Sequence, residues 1–207
     1  MTWKSFLSNK KNRVELIITV VILTTIMLSF SQFLQFIEQR EGVALQDPLL
    51  NTFNPIDLTW LIFALIYLSI ILFLITFLKE PYKLMIALQT YGLMVIIRTI
   101  AMYLTPFEVP EKLILLNDPF VQLFGQGAVL TKDLFFSGHT ATLFLLFLLA
   151  ENKTLKITFL ISTIIVGTAV LLQHIHYSVD VFIAPFVAYG ALKLVLYFHN
   201  KNAGATQ

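Results

Sequence analysis

Six apolar runs, each long enough or nearly so to cross a lipid bilayer, leave this chain few ways to fold. They cover approximately residues 16–37, 58–78, 84–104, 134–150, 155–172 and 176–199. A hydrocarbon core of about 30 Å takes roughly 17–25 helical residues, so the fourth and fifth runs are the shortest fits. Of the 207 residues, 57% are hydrophobic and 13% charged, whereas soluble domains are nearer a quarter charged. The expectation is an all-α integral membrane protein, a six-transmembrane helical bundle forming one domain over 1–207. The first run follows Lys4, Lys10, Lys11 and Arg13, is too long for a signal-peptide core and has no small-residue cleavage site after it. It reads as a signal-anchor that stays in the protein.

Orientation follows from the basic residues of the short connections. Lys4, Lys10, Lys11, Arg13, Lys79, Lys83, Lys153, Lys156 and Lys201 fall on one side, with Lys193 snorkelling toward it. Arg40, Lys112 and Lys132 fall on the other, offset by Glu38, Glu41, Asp47, Glu108, Glu111, Asp118 and Asp133. Both termini, including 1–13, are then cytoplasmic, and the loops 38–57 and 105–133 face outward at the cell membrane. Pro106, Pro110, Pro119, Gly125 and Gly127 argue against a further span in the second loop, which has room for a short interfacial helix around 112–116. The tail 200–207 is expected to be flexible. A net charge of +2, with no basic cluster interleaved with aromatics, gives no sign of nucleic acid as a partner. The absence of cysteine excludes disulfides and thiolate metal sites.

Two strings at the edges of apolar runs carry the chemistry: Ser137-Gly138-His139-Thr140 and His176-Tyr177-Ser178-Val179-Asp180. A sixth helix beginning near His176 would put His176 and Asp180 on one face, a turn apart. The carboxylate would then fix the imidazole tautomer and favour positive charge on it, as a nucleophilic histidine requires. Asp133 suits the N-cap of the fourth helix, leaving Ser137 and His139 one to two turns inside, where free N–H groups favour anions. The plain alternative is that Asp133 and Ser137 only cap, that His139 is solvated, and that His176 and Asp180 merely satisfy each other. Arg98, near the outward end of the third run, is an ionised group inside a span and therefore a functional candidate. Its planar fork suits phosphate oxygens; snorkelling, or a structural pair with Asp133 or Asp180, is the alternative. Together these residues suggest phosphoryl transfer on a lipid.

Other residues read more plainly. His174 lies off the His176 face and suits a headgroup contact or solvation. Trp3, Trp60, Tyr103, Tyr177 and Tyr197 fit interfacial belts. Asn152-Lys153-Thr154 matches a glycosylation pattern on the side expected to be cytoplasmic. His139, His174, His176 and Asp180 could form a metal site on paper, but their spacing matches no zinc pattern, and histidine phosphoryl chemistry needs neither metal nor cofactor.

The chain resembles the sphingomyelin synthase family. The stretch from Arg98 to Thr105 followed by Val109-Pro110, the stretch from Asp133 to Thr140, and the stretch from His174 to Val181 are similar to that family's arginine-containing, third and fourth motifs. The resemblance covers roughly 85–200 well and the first two spans in outline, and extends more distantly to the type 2 phosphatidic acid phosphatase superfamily. It implies His176 as nucleophile, Asp180 as its orienting partner and His139 as general acid/base. Arg98, Ser137 and Gly138 would bind the phosphate, with Asp133, His174 and Tyr177 as supporting candidates. The Lys…Arg-Pro phosphate motif of ordinary phosphatase relatives is absent, Lys132 stands where the synthases show Gly, and the cysteine that precedes their third motif is missing. The expectation is of a protein without the N-terminal accessory domain of the synthases, and a short, cysteine-free sequence suggests a bacterial relative. The expected activity is transfer of a phospholipid headgroup at the outer face, to a lipid alcohol such as diacylglycerol or ceramide, or to water as in a phosphatase or phospholipase C. A non-catalytic lipid-binding or transport protein, holding an anionic headgroup on Arg98, is the alternative of another class; the absence of repeated halves weighs against transport.

Overall fold

The computed structural model describes residues 2–116 and 130–204. Expectations resting on Asp118, Pro119, Gly125, Gly127 or 205–207 lie outside the described residues. Seven α-helices make up most of the rest: α1 Trp3–Ser8, α2 Lys10–Glu38, α3 Thr59–Phe77, α4 Pro81–Leu104, α5 Gly138–Leu149, α6 Lys153–Leu172 and α7 Ser178–Gly204. A 3-10 turn, Leu50–Thr52, lies in the first long loop. The apolar runs at 16–37, 58–78, 84–104 and 155–172 all fall on these helices within a few residues.

Five helices (α2, α3, α4, α6 and α7) are long and apolar enough to cross a membrane, which marks an integral membrane helical protein. The fourth run departs from expectation. Its helix α5 has 12 residues, or about 18 Å at ~1.5 Å per residue, short of a ~30 Å core. The cause lies in the approach segment, 130–137, which is not helical. The Glu38 carboxylate accepts from Thr131 N–H at 2.9 Å, the Thr131 hydroxyl at 2.6 Å and Lys132 N–H at 3.0 Å. Backbone donors that a helix would use are thus committed to a side chain from the end of α2.

Packing sorts the helices by exposure. Ile62, Ile66 and Phe73 of α3 meet Leu143 and Leu146 of α5 and Phe159, Val166 and Val170 of α6 in one core. A second core joins Ile86 and Met94 of α4 to Ala141 and Leu145 of α5 and to α7. The buried residues of α7 include Ala184, Ala188 and Ala191, a helical spacing of small groups that lets neighbouring helices approach closely. Helix α2 packs on α4 through Phe30, Ile37, Val95 and Met102 and is otherwise peripheral, with 11% of its most apolar window buried.

The long loops are tied together above the α5–α6–α7 core. Val43 and Phe107 form a parallel bridge, with Val43 N–H to Pro106 O at 2.8 Å and Glu108 N–H to Val43 O at 3.0 Å. Gly42 is needed there: a Cβ would sit 2.7 Å from the Phe107 carbonyl carbon. Buried Gln173 joins three segments, accepting from Leu58 N–H at 3.0 Å and donating to Thr59 Oγ1 at 2.8 Å and Ile114 O at 3.3 Å. Its carbonyl also takes Ile114 N–H at 3.2 Å, and a turn closes from Leu113 N–H to Pro110 O at 3.1 Å. The expected interfacial helix at 112–116 is therefore absent, its backbone being paired to Gln173. Residues 200–204 continue α7 as helix. Asn152, of the glycosylation-like triplet, is the N-cap of α6 and accepts from Thr154 N–H and Leu155 N–H.

Candidate active site

Two hydrogen bonds at the end of α6 set the direction of the His176 segment. Helix α6 closes with His174 N–H to Leu171 O at 2.9 Å and Ile175 N–H to Val170 O at 3.0 Å, while His174 takes φ of 56°. This is the Schellman pattern, with histidine in the left-handed position that glycine usually fills, and Ile175 packs back on the core. The chain reverses and Tyr177 stands directly before α7. Asp180, in the first turn of α7, reaches back so that Oδ2 accepts Tyr177 N–H at 3.0 Å, the carboxylate half of a capping box. The same Oδ2 lies 3.2 Å from His176 Nδ1.

The expected helix-face pair is therefore corrected in one respect. His176 precedes the helix, and the pairing is made between a residue entering α7 and a residue of its first turn. His176 and Asp180 are 1% and 0% exposed. With Nδ1 donating to a carboxylate, the neutral imidazole presents Nε2 as its lone-pair nitrogen.

The other motif approaches from α5. Ser137, not Asp133, is the N-cap: its hydroxyl faces Thr140 N–H at 3.5 Å and Thr140 Oγ1 at 3.1 Å. Its own N–H donates to the Asp180 carbonyl at 3.1 Å, locking the two motifs together. His139 follows in the first turn, its ring centroid 6.4 Å from that of His176 and 6.3 Å from Phe63. Its Nδ1 has no hydrogen-bond partner among the described residues.

Arg98 arrives from α4. Nη2 meets Asp133 Oδ1 at 2.9 Å and Asp133 O at 3.2 Å, and the guanidinium lies 5.8 Å from the Phe30 ring centre. Asp133 thus pairs with the arginine. A Cβ on Gly138 would come within 2.9 Å of Arg98 Cζ, so the absence of a side chain is what admits the guanidinium. Arg98, Asp133, Gly138 and His139 border a cavity of about 210 Å³ whose other walls, including Phe30, Ile66 and Met94, are mostly apolar.

Two sequence candidates are placed elsewhere. His174, expected at a headgroup or in solvent, is 3% exposed, with its ring 5.1 Å from Phe53. Burial, and then the Lys112 ammonium, hold its pKa below the ordinary value, against the opposing pull of Asp47. Tyr177 is likewise buried at 2% rather than belt-exposed, its hydroxyl donating to Glu108 O at 2.9 Å and accepting from Leu45 N–H at 3.2 Å. Among the described residues, no three His, Cys, Asp or Glu side chains are grouped to hold a metal.

Asp47 and Glu108, counted in the sequence only as charge, turn out to brace the site. Asp47 accepts Ser178 N–H at 2.6 Å and the Ser178 hydroxyl at 3.0 Å, holding the start of α7 from a loop. Burial raises its pKa, but these bonds and those from Leu49 and Leu50 N–H outweigh it and leave the carboxyl below its usual range. Glu108 is lowered chiefly by Lys132, whose ammonium lies 2.6 Å away. Lys132 also donates to Arg40 O at 2.8 Å, so this lysine anchors the approach to Asp133. The one signal of either acid in the sequence is its position in an outward loop.

Residues 132–198 match the family model described as PAP2 superfamily C-terminal. The matched segment contains Asp133, Ser137, Gly138, His139, His174, His176, Tyr177 and Asp180, and leaves Arg98 outside it. The match supports the type 2 phosphatidic acid phosphatase-related superfamily and, with it, activity of the phosphatase or phosphotransferase type on a lipid. No curated protein matches the chain.

Proposed function

We propose that this chain is a lipid phosphotransferase or phosphatase that works through a phosphohistidine on His176, with a phospholipid as donor, in the manner of the sphingomyelin synthases. The observation that carries this reading is the buried His176–Asp180 pair with a second imidazole facing it at 6.4 Å between ring centres.

His176 Nε2 attacks phosphorus, forming a P–N bond as the P–O bond to the departing lipid alcohol breaks. His139 gives that oxygen its proton. Asp180, bonded at Nδ1, stabilises the positive charge that the ring acquires. The acceptor hydroxyl then yields its proton to His139 while its oxygen attacks phosphorus, breaking the P–N bond and returning His176 to neutrality. Arg98, with the donors near Ser137 and Gly138, stabilises charge on the non-bridging oxygens. Arg98 holds Asp133 in the free protein, so an incoming phosphate takes over part of a contact already made. A diacylglycerol or ceramide acceptor gives a transferase; water gives a phosphatase or phospholipase C.

The test is covalent trapping with a phosphorus-labelled phospholipid. Wild-type protein is expected to carry an acid-labile, alkali-stable label on the peptide containing His176, absent from His176→Ala, with ping-pong kinetics across acceptors. Asp180→Asn should keep the fold and slow turnover by about 100-fold or more, as other orienting carboxylates do. Full activity in His176→Ala, or label mapping to Ser137, would remove the mechanism.

A further inference from the structure

A groove of about 730 Å³ runs between α2 and α4, away from His176 and Asp180. Its walls are largely apolar, formed by residues such as Ile18 and Ile22 of α2 and Gly92 of α4. Ile18 and Ile22 are each 51% exposed, so these side chains lack a protein neighbour on that face. At one end the lining becomes charged, with Lys10 and Lys11.

The acid at that end is already committed. Glu15 accepts from Gln89 Nε2 at 3.2 Å and lies 3.3 Å from His199 Nε2, while Gln89 also donates to Thr19 at 3.0 Å. No acidic side chain among the described residues pairs with Lys10 or Lys11. Lys4 and Arg13 add two more cations within the first 13 residues.

An apolar groove with unmatched cations at one mouth has the complementarity of an amphiphile with an anionic head. Clustered basic residues beside a spanning helix attract acidic lipid, and an acyl chain seated in the apolar groove makes dispersion contacts along its wall. We infer that the α2–α4 groove binds one anionic phospholipid, an acyl chain lying along Ile18, Ile22 and Gly92 and the phosphate on Lys10 and Lys11. This lipid is a bound ligand that secures the peripheral α2, and its site is separate from the histidine pair. A second copy of the chain fits the groove less well. Packed about a two-fold along the membrane normal, it would bring Lys10 and Lys11 against their own counterparts.

Native mass spectrometry of the full chain in detergent, offered equal dioleoyl phosphatidylglycerol and dioleoyl phosphatidylcholine, tests this. Wild-type protein should retain one phosphatidylglycerol in preference to phosphatidylcholine. Lys10→Gln/Lys11→Gln should lose that preference by roughly fivefold per lysine, the scale of one basic residue at an acidic surface. Ile22→Trp should reduce binding of both lipids by filling the groove. These three side chains are exposed, so the variants should keep wild-type helical circular dichroism, and glycerol phosphate without acyl chains should not compete. Equal retention of the two lipids, an undiminished preference in the double lysine variant, or competition by glycerol phosphate would overturn the proposal. So would a dimer that Ile22→Trp converts to monomer, which would assign the groove to a second copy.

Discussion

At Gly138 a hydrogen stands where other residues carry carbon, and the Arg98 guanidinium fills that space. Gly138→Ala should therefore displace Arg98 rather than α5. Loss of one charge-assisted hydrogen bond, about 1.5–3 kcal/mol, corresponds to roughly tenfold or more in kcat/KM for a phospholipid donor. Steady-state kinetics beside an unchanged circular dichroism spectrum would check it. His174 makes a different prediction. Its pKa lies below the ordinary 6.5, chiefly through burial, so as the pH falls below about 6.5 the unfolded chain takes up a proton that the folded protein resists. Stability should accordingly fall on acidification through that window. His174→Asn, which keeps a residue tolerant of the left-handed conformation, should melt with a flatter dependence between pH 5 and pH 7. An equally steep loss in the variant would assign the acid sensitivity elsewhere.

Elements hold this site through their ends. Helix α6 stops in a reversing turn, α7 starts on the Asp180 and Asp47 carboxylates, and α5 starts at Ser137. Asp47→Asn keeps the shape of the side chain while weakening its bonds to Ser178. The expected loss is about 1 kcal/mol, as for an ordinary helix cap, or a Tm lower by roughly 2–4 °C. Turnover should fall with it, because the start of α7 sets the distance from His176 to Asp180. A thermal melt and a rate assay on one preparation measure both, and an unchanged rate would make Asp47 a stability residue alone. The sequence carried the spacing of His176 and Asp180 plainly. It did not carry these braces, because Asp47 is 131 residues from Ser178 and Glu38 is 93 from Thr131, and a carboxylate in an outward loop has the same local pattern whether or not it reaches a helix end.

Over the whole molecule the basic residues divide by side, and the histidine pair lies at the end opposite Lys153 and Lys201. By the positive-inside rule we propose that this end faces away from the cytoplasm. A cysteine at Asn51 should label with an impermeant reagent in intact cells, while one at Asn152 should stay protected until the membrane is opened. Both side chains are exposed in the fold, so a difference reports topology rather than packing. Protection at Asn51 would turn the site to the inside. A position at Gln126 would serve the same test but lies outside the described residues.

Long apolar runs in a chain that is 13% charged already dictate helices and a membrane, because uninterrupted hydrophobic length is a local property. The two histidine motifs were legible for the same reason, since each keeps its chemistry within eight residues or fewer. Tertiary structure alone decided that Asp133 pairs with Arg98 instead of capping α5, that His174 and Tyr177 are buried, and that the fourth run yields a 12-residue helix behind an extended approach. Each of those outcomes turns on a hydrogen-bond or ion-pair competition between segments far apart in the chain. A local pattern records which groups want partners, and only the packed helices determine which partners come within reach.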